Sequence, residues 1–401
     1  MIVMNRITKH LLMALLLAAG QVHAEEALRA DVGKPLQAAQ DLLKAGKYKD
    51  ALAKVREAEA AVNRTPNENY YIDRMRGSAA AGAGDEATAT RSFEAVLASG
   101  RLQAPEKLQT LEALAGSSYR AKDYAKAVES SQRYFKEGGS GAQMRSLQVS
   151  AQYLVGDFAG VVRSMQERVQ VAEQAVPVID EATLRLLAAS QIKLGDEAGY
   201  ANTLEKLLIH HPKKEYWADL LARIQNRPTF ADRLALDLFR LQMATQTMDD
   251  SAQFVEMAQL ALQAGLPAEA KRVTEAGYAA AKLGTGAEAD RHKRLRDLAV
   301  KQAGEDEKAL TADVIGRSAD ALANTGQVFV TTGRVDKGIE LMEQGLSKGG
   351  LKRPEDARLH LAQAYLLSGN KAKAVETLKA VRGGDGTADL ARLWMILARQ
   401  S

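Results

Sequence analysis

Histidines, acidic residues and glycine-rich segments are the parts of this sequence that could perform chemistry. The chain has six histidines and no cysteine among its 401 residues, which excludes thiolate metal ligands, a cysteine nucleophile and disulfides. Beyond residue 24, His210 and His211 are adjacent, whereas His292 and His360 are isolated in sequence. A zinc site requires three or four convergent ligands. The spacing therefore predicts no metal site.

The glycine-rich segments do not match phosphate-binding loops. The segment AGAGDEA at 81–87 lacks the third glycine and the preceding strand that a dinucleotide-binding loop needs. The segments GGSG at 138–141 and GGDG at 383–386 are interpreted as flexible connections. The sequence offers no serine nucleophile elbow, no paired catalytic carboxylates and no Walker lysine. We therefore predict a protein that is not an enzyme and that uses no cofactor.

The first 24 residues have the pattern of a secretory signal peptide. Arg6 and Lys9 precede an apolar run at 11–20, which is shorter than the roughly 20 residues that span a bilayer. Val22 and Ala24 are small residues that offer a cleavage site before Glu25. We expect cleavage after Ala24, a periplasmic location and no stable membrane insertion, with secretion beyond the periplasm left open.

The charge balance gives no sign of a nucleic-acid partner. The chain has 54 Lys and Arg residues against 50 Asp and Glu residues, a formal net charge of +4. Its densest basic segment, DRHKRLRDLAVK at 290–301, is interrupted by acids and has no interleaved aromatic residues. We interpret this segment as a solvated helix face and predict no binding to nucleic acid.

Apolar residues recur with helical spacing, and no sustained alternation of period two occurs, so the fold class is predicted as all-α. Short turns recur with a small residue about five positions later, as Gly46 is followed by Ala51. Small residues seven positions before these turns, such as Ala115 and Ala362, allow two helices to approach closely. An irregular turn is expected near Pro228. The other predicted turns are at Gly84, Lys122, Gly156, Gly195, Gly265, Gly304, Gly333 and Gly369.

The segments LLKAGKYKDAL at 42–52, AQLALQAGLPAEA at 258–270 and AYLLSGNKAKAVETL at 364–378 resemble the tetratricopeptide repeat (TPR). The TPR unit is a helix–turn–helix of about 34 residues that stacks into a superhelix. The resemblance implies a right-handed α-solenoid of about ten hairpins. Because the turn at Gly333 follows Gly304 too closely, we expect a TPR-like solenoid over 25–282, an irregular joint over 283–313 and further TPR repeats over 314–401.

The resemblance also implies a binding face, because the first helix of each TPR hairpin lines a groove that receives a partner segment. Counting back from the turns gives a polar strip with tyrosines and arginines, which contribute interface energy at low conformational cost. The family's carboxylate clamp is not matched, since Leu36 and Gln40 occupy its places in the first unit. The predicted groove residues are Tyr71, Arg74, Gln109, Glu112, Tyr119, Gln143, Ser150, Tyr153, Arg185, Gln259, Gln327 and Gln363.

These observations predict a non-catalytic scaffold that holds a protein or peptide segment of a cell-envelope complex. The C-terminal units resemble repeat proteins that accompany TonB-type uptake systems. Two alternatives are a glycan- or peptidoglycan-binding accessory module and a self-assembling structural element. The terminal segment at 387–401 bears on the latter, because Trp394, Met395 and Leu397 have no following repeat to cover them. That segment either packs back on the stack or meets a second copy.

Overall fold

A computed structural model describes residues 27–175, 178–310 and 318–400. These residues form twenty α-helices and one 3-10 helix, with no strand among them, so the prediction of an all-α repeat fold is confirmed. The predicted signal peptide at 1–24 lies outside the described residues. The chain divides into two compact units, Met1–Gln174 (unit 1) and Ala175–Ser401 (unit 2), each described by itself below.

From residue 27 onward, where its description begins, unit 1 is a series of four helical hairpins. The first helices of its hairpins begin at residues 30, 66, 104 and 142, a spacing close to the predicted repeat. Pro66 starts one of these helices, where its missing N–H is harmless. The helices are α1 (Ala30–Lys44), α2 (Tyr48–Glu59), α3 (Pro66–Ala83), α4 (Glu86–Ala98), α5 (Ala104–Arg120), α6 (Tyr124–Lys136), α7 (Ala142–Val155) and α8, which runs from Phe158 to the unit boundary at Ala175.

The hairpins of unit 1 turn at a residue with left-handed backbone. Lys122 has a φ of +63°, in the same range as the turn glycines. The turn predicted at Lys122 is therefore confirmed. In three of the four hairpins the next residue is an aspartate whose side chain accepts a hydrogen bond from the second helix. Such a cap satisfies one of the free N–H groups at a helix start. The aspartates are Asp85, Asp123 and Asp157, which accept from Thr88, Lys126 and Gly160.

Unit 2 contains five further hairpins and two single helices within its described residues. The irregular connection predicted near Pro228 is present, and it ends in a 3-10 helix, Asp232–Leu234. The helices are α9 (Glu181–Leu194), α10 (Glu197–His210), α11 (Lys214–Gln225), α12 (Ala235–Ala244), α13 (Ser251–Gln263), α14 (Pro267–Ala279), α15 (Ala289–Ala309), α16 (Ala319–Thr331), α17 (Val335–Lys348), α18 (Pro354–Leu367), α19 (Lys371–Ala380) and α20 (Thr387–Gln400).

The turn predicted at Gly304 is wrong. Gly304 lies inside α15, a helix of 21 residues, and a Cβ placed there would meet no neighbouring atom within 4 Å. This glycine therefore serves neither a left-handed turn nor a close helix contact, and spacing alone could not reveal that. The predicted joint at 283–313 contains this helix, and its residues 311–313 lie outside the described part of the chain.

Helices α16 and α17 of unit 2 approach each other closely. A Cβ placed on Gly338 would lie 2.5 Å from the carbonyl oxygen of Gly326, and a Cβ on Gly326 would lie 2.7 Å from that of Gly338. Real Cβ atoms do not approach backbone so closely. Glycine is therefore required at both positions, as the predicted role of small residues at the hairpin crossings implies.

The last helix of unit 2 packs back on earlier helices of the same unit. Helix α20 contacts α10 and α12 as well as its neighbours α18 and α19. Leu390 and Leu393 are fully buried, and Trp394 is 8% exposed. At the helix end, the Gln400 amide donates to the Leu208 carbonyl at 2.6 Å. The terminal segment was expected either to pack back on the stack or to meet a second copy, and in the structure it packs back on its own unit.

Polar contacts reinforce this closure. Arg392 pairs with Glu205 on α10 at 2.8 Å, and Arg227 pairs with Asp389 at 2.8 Å. The backbone N–H of Ala231 donates to the carbonyl of Asp385 at 2.9 Å. Unit 2 therefore closes on itself through contacts between residues more than 150 positions apart in sequence.

Candidate functional site

Eight of the predicted groove residues lie on the first helices α3, α5 and α7 of unit 1. On α5, Gln109, Glu112 and Tyr119 are half-buried and follow helical spacing, while Leu111 and Leu114 on the same helix are fully buried. The same helix thus presents an apolar face to the core and a polar one away from it. We call this polar face of the first helices the unit 1 stripe; its members are Tyr71, Arg74, Gln109, Glu112, Tyr119, Gln143, Ser150 and Tyr153.

An ion pair links two helices of the stripe. Nη2 of Arg74 on α3 lies 3.1 Å from Oε1 of Glu106 on α5, with 19% and 16% of the two side chains exposed. Nη1 of Arg74 also donates to the Tyr70 hydroxyl at 3.3 Å, and the Tyr70 ring meets that of Tyr71 edge to face at 5.1 Å. These contacts hold the arginine in one orientation, because a guanidinium offers several donors in a fixed plane.

The tyrosines of the stripe are also held by aromatic neighbours. Tyr119 meets Tyr124 edge to face with ring centroids 5.4 Å apart, and Tyr153 meets Phe158 in the same way at 5.4 Å. Each pair joins the end of a first helix to the start of the second helix across the turn. Edge-to-face pairs favour one ring orientation, so these half-buried rings are positioned before any partner arrives.

The polar members of the stripe differ in how far they are already engaged. Oε1 of Gln109 is buried and has no hydrogen-bond partner in the described part of the chain. Glu112 hydrogen-bonds Tyr134, and burial together with this carboxylate raises the pKa of the tyrosine. Gln143 and Ser150 on α7 are exposed. The stripe therefore combines fixed aromatic rings with polar groups that can accept or donate further hydrogen bonds.

The remaining predicted groove residues belong to unit 2. Arg185 on α9 and Gln259 on α13 are exposed. Gln327 on α16 and Gln363 on α18 are half-buried and contact α12. The Gln363 amide donates to Oδ1 of Asp237 at 3.4 Å. When the side-chain oxygen of Gln327 is oriented toward Arg240, it accepts hydrogen bonds from both Nη atoms of this arginine, at 3.0 and 3.1 Å.

These two glutamines meet a charged network that sequence analysis missed. Arg240 donates to Asp237 at 2.8 Å and binds Glu269 on α14 through two hydrogen bonds of 2.8 and 2.7 Å. Nε2 of His360 on α18 lies 3.0 Å from Oδ1 of Asp237. The side chains of Asp237, Glu269 and Arg240 are only 5%, 8% and 11% exposed, so the network lies in the interior of unit 2.

The charges of this network stabilise one another against burial. Burial alone raises the pKa of Asp237, but the charges of His360 and Arg240 outweigh it and hold the pKa well below its usual range. Burial lowers the pKa of Arg240, and its partners Glu269 and Asp237 more than compensate. A signal for this cluster was present in the sequence of α12, ALDLFRLQMA, where two charges stand in a helix that is otherwise almost entirely apolar.

The contacts of α12 divide the predicted groove residues into two groups. In unit 2, Gln327 and Gln363 face a helix of their own unit, so part of the first-helix face of α16 and α18 is occupied from within. In unit 1 the stripe consists of half-buried and exposed side chains.

Within the described ranges no cluster of three or more potential ligands is placed to hold a metal ion, and no described helix has the length and apolarity to cross a membrane.

Consecutive two-helix hairpins, a left-handed turn residue and buried small residues at the crossings define the repeat type. The described residues thus form an all-α helical repeat fold, as the resemblance to the TPR predicted. No protein-family model and no curated protein sequence matches this chain.

Solved structures similar to it include Naa15/Naa10 bound to HypK-THB, at 16% identity and a TM-score of 0.31 over 89% of this chain and 58% of that one. The P58(IPK) TPR domain is 15% identical, with a TM-score of 0.23 over 92% of this chain and 98% of that one. Yeast Tom70 is 12% identical, with a TM-score of 0.24 over 92% of this chain and 94% of that one. This chain thus spans less than two thirds of the first of these structures, and TM-scores this low establish no common overall arrangement.

Proposed function

We propose that this protein is a non-catalytic scaffold that binds a segment of another protein along the unit 1 stripe. The observation that carries the proposal is the state of the stripe: Tyr119 and Tyr153 are half-buried and oriented by aromatic neighbours, beside exposed Gln143 and Ser150. Rigid aromatic rings next to adaptable hydrogen-bonding groups are the composition of protein-binding surfaces.

The chemistry of the stripe suits a peptide segment. A bound segment would cover the tyrosine rings with apolar or aromatic side chains, and its backbone would exchange hydrogen bonds with Gln143 and Ser150. Arg74 is held by Glu106 and would position the segment rather than supply an independent charge.

The proposed partner belongs to the cell envelope, with an accessory role in a TonB-type uptake complex as one form of this function. The support is the signal-peptide pattern of the first 24 residues. Cell fractionation tests it: the protein should appear in the periplasmic fraction, and its first residue should be Glu25. A full-length chain that begins at Met1 in the cytosol would contradict this location.

Photo-crosslinking in living cells tests the binding face. A photoreactive residue at Gln143 or Ser150 on the stripe should give crosslinked partner bands. The same residue at Gln132 or Gln166, which are exposed on the second helices α6 and α8 of unit 1, should give few. Equal labelling from both pairs of positions would show that the stripe is not the binding face.

A double substitution supplies a second test of the same face. Tyr119→Ala with Tyr153→Ala should weaken capture of the crosslinked partner about tenfold or more, since each ring contributes on the order of 1–2 kcal/mol at an interface hot spot. The pair Gln132→Ala and Gln166→Ala is the matched control and should bind as the wild type does. Unchanged capture by the tyrosine variant would overturn the proposal.

The structure does not favour the two alternatives. Glycan binding would use the Tyr119 ring together with the Glu112 carboxylate, yet Glu112 already hydrogen-bonds Tyr134. Self-assembly through the terminal helix would use its apolar side, but Leu393 and Trp394 are buried within unit 2. A peptide-binding stripe therefore accounts better for the contacts of these residues.

A further inference from the structure

A polar cavity of about 340 Å³ in unit 1 is lined mainly by the second helices α2 and α4, and by Arg76 of the first helix α3; none of its lining residues belongs to the stripe. This volume is within the range of small-ligand sites, roughly 300–1,000 Å³. Leu52 and Val55 on α2 supply an apolar wall. The rest of the lining is polar or charged: Arg56, Glu59, Arg76, Asp85, Thr88, Arg91 and Ser92.

One of the three arginines, Arg76, is already neutralised. Its Nη1 lies 2.7 Å from Oε1 of Glu59, and it also pairs with Asp73 on its own helix. Nε of Arg76 donates to the hydroxyl of Ser92 at 2.8 Å. Arg76 therefore forms a fixed part of the cavity wall and has two carboxylate partners of its own.

The other two arginines are not matched in this way. Arg56 on α2 and Arg91 on α4 are exposed, and in the described part of unit 1 neither lies within ion-pair distance of a carboxylate. Arg91 donates only a long hydrogen bond, 3.3 Å, to the hydroxyl of Thr88. Two guanidinium groups from two different helices thus reach one cavity without a carboxylate bound to either.

Asp85 shows that these two arginines act on the same place. The hydrogen bonds from Thr88 lower the pKa of Asp85 most, and the positive charges of Arg91 and Arg56 both add to the effect. Oδ1 of Asp85 is engaged in capping α4, at 3.1 Å from the Thr88 N–H. With one capping carboxylate for two guanidinium groups, positive charge is in excess in this part of the cavity lining.

We infer that this cavity is a second ligand site and binds a carboxylate group, held between Arg56 and Arg91. Guanidinium groups bind carboxylates through paired, charge-assisted hydrogen bonds. Leu52 and Val55 would contact the aliphatic part of the ligand. The carboxylate comes either from an acidic side chain of a peptide or from a free dicarboxylic acid.

Calorimetric titration of the full chain separates these two sources. The probes are an N-acetylated, C-amidated pentapeptide with two glutamates, the same peptide with glutamines, glutarate, and its diamide. The carboxylate probe that fits should bind, and its amide counterpart should bind at least about tenfold more weakly. Binding of the peptide alone assigns a side-chain carboxylate, and equal binding of glutarate assigns the free acid.

Paired variants show whether the cavity is responsible. Arg56→Gln with Arg91→Gln should weaken binding about tenfold or more. The control Lys136→Gln with Arg163→Gln removes the same charge from two exposed positions elsewhere in unit 1 and should bind as the wild type does. The inference is overturned if both carboxylate probes fail to bind, if the amides bind equally, or if the two double variants behave alike. The Tyr119 and Tyr153 variant should bind these probes normally, so the two sites can fail independently.

Discussion

Arg240 and Glu269 form a paired, two-hydrogen-bond contact inside unit 2, with distances of 2.8 and 2.7 Å. The two residues lie on α12 and α14, and neither side chain is more than 11% exposed. Because Arg240 also binds Asp237, one guanidinium neutralises two buried carboxylates. This arginine holds α12 against the first-helix face that Gln327 and Gln363 line.

Replacing Arg240 by Met should destabilise unit 2 by about 3–5 kcal/mol, because it leaves the buried Glu269 without its cation and the buried Asp237 with His360 alone. Urea unfolding followed by tryptophan fluorescence measures this effect, since both tryptophans, Trp217 and Trp394, are buried in unit 2. The control is Arg291→Ala, which removes an exposed pair with Glu288 and should change stability by less than about 1 kcal/mol. Similar losses in both variants would contradict the buried network.

Two glycines of unit 2 should respond in opposite ways to the same substitution. Gly338→Ala places a methyl group against the backbone of α16 and should destabilise by about 1–3 kcal/mol through overpacking. Gly304→Ala adds a methyl group where nothing lies within 4 Å and should stabilise by about 0.5–1 kcal/mol, because alanine favours a helix interior. Fluorescence-detected unfolding measures both, and a loss in the Gly304 variant would contradict its place inside α15.

Stability at acidic pH should depend on Glu68. Its carboxylate receives hydrogen bonds from Arg29 and from the Thr65 N–H, which lower its pKa from 4.5 to about 2. A depressed folded-state pKa contributes stability above the unfolded value that is lost as pH falls toward the folded one. Thermal unfolding by circular dichroism should therefore show Glu68→Gln less stable than wild type at pH 7, with the difference shrinking between about pH 4.5 and pH 2.

Glu57 supplies the comparison for this acid dependence, because its pair with Lys54 lies on the surface, with side chains 54% and 41% exposed. Glu57→Gln should melt close to the wild type at every pH, as exposed pairs contribute little. A gap between wild type and Glu68→Gln that stayed constant across pH would assign its effect to packing instead.

Closure of unit 2 predicts distant effects of a substitution in its last helix. Leu393→Ala removes a fully buried side chain and should destabilise by about 2–5 kcal/mol. Hydrogen exchange should then quicken in α10 and α12 as well as in α20, because these helices pack together. Arg399→Ala, at an exposed position on the same helix, should leave exchange unchanged. Faster exchange confined to α20 would contradict closure.

Much of the fold was predictable because its determinants are local. Turn residues, caps and small residues repeat at fixed offsets, and even Lys122 could be assigned to a glycine slot. Gly304 shows the limit of this approach, because a glycine inside a helix has no local mark that separates it from a turn glycine. The stripe of unit 1 followed from the same periodicity, since residues on one helix face recur every three to four positions.

The interior network of unit 2 could not be predicted in this way. Asp237 meets His360 at a separation of 123 residues, and no repeat rule specifies which side chain will stand opposite Gln327 or Gln363. Such pairings depend on how successive hairpins curve together, which is set by small rotations at each helix contact. The cavity lined by Arg56 and Arg91 likewise depends on how α2 and α4 pack, so residue spacing within a single helix could not predict it.

The return of α20 to α10 fixes the number of repeats that unit 2 can hold. An open array of stacked hairpins can lengthen by duplicating one of them, since each hairpin contacts only its neighbours. In unit 2, one additional hairpin would separate Arg392 from Glu205 and Gln400 from Leu208. Duplication of a hairpin inside unit 2 would therefore break the contacts between α20 and α10. Evolution of this unit is thus restricted to substitutions, because added hairpins would disrupt its closure.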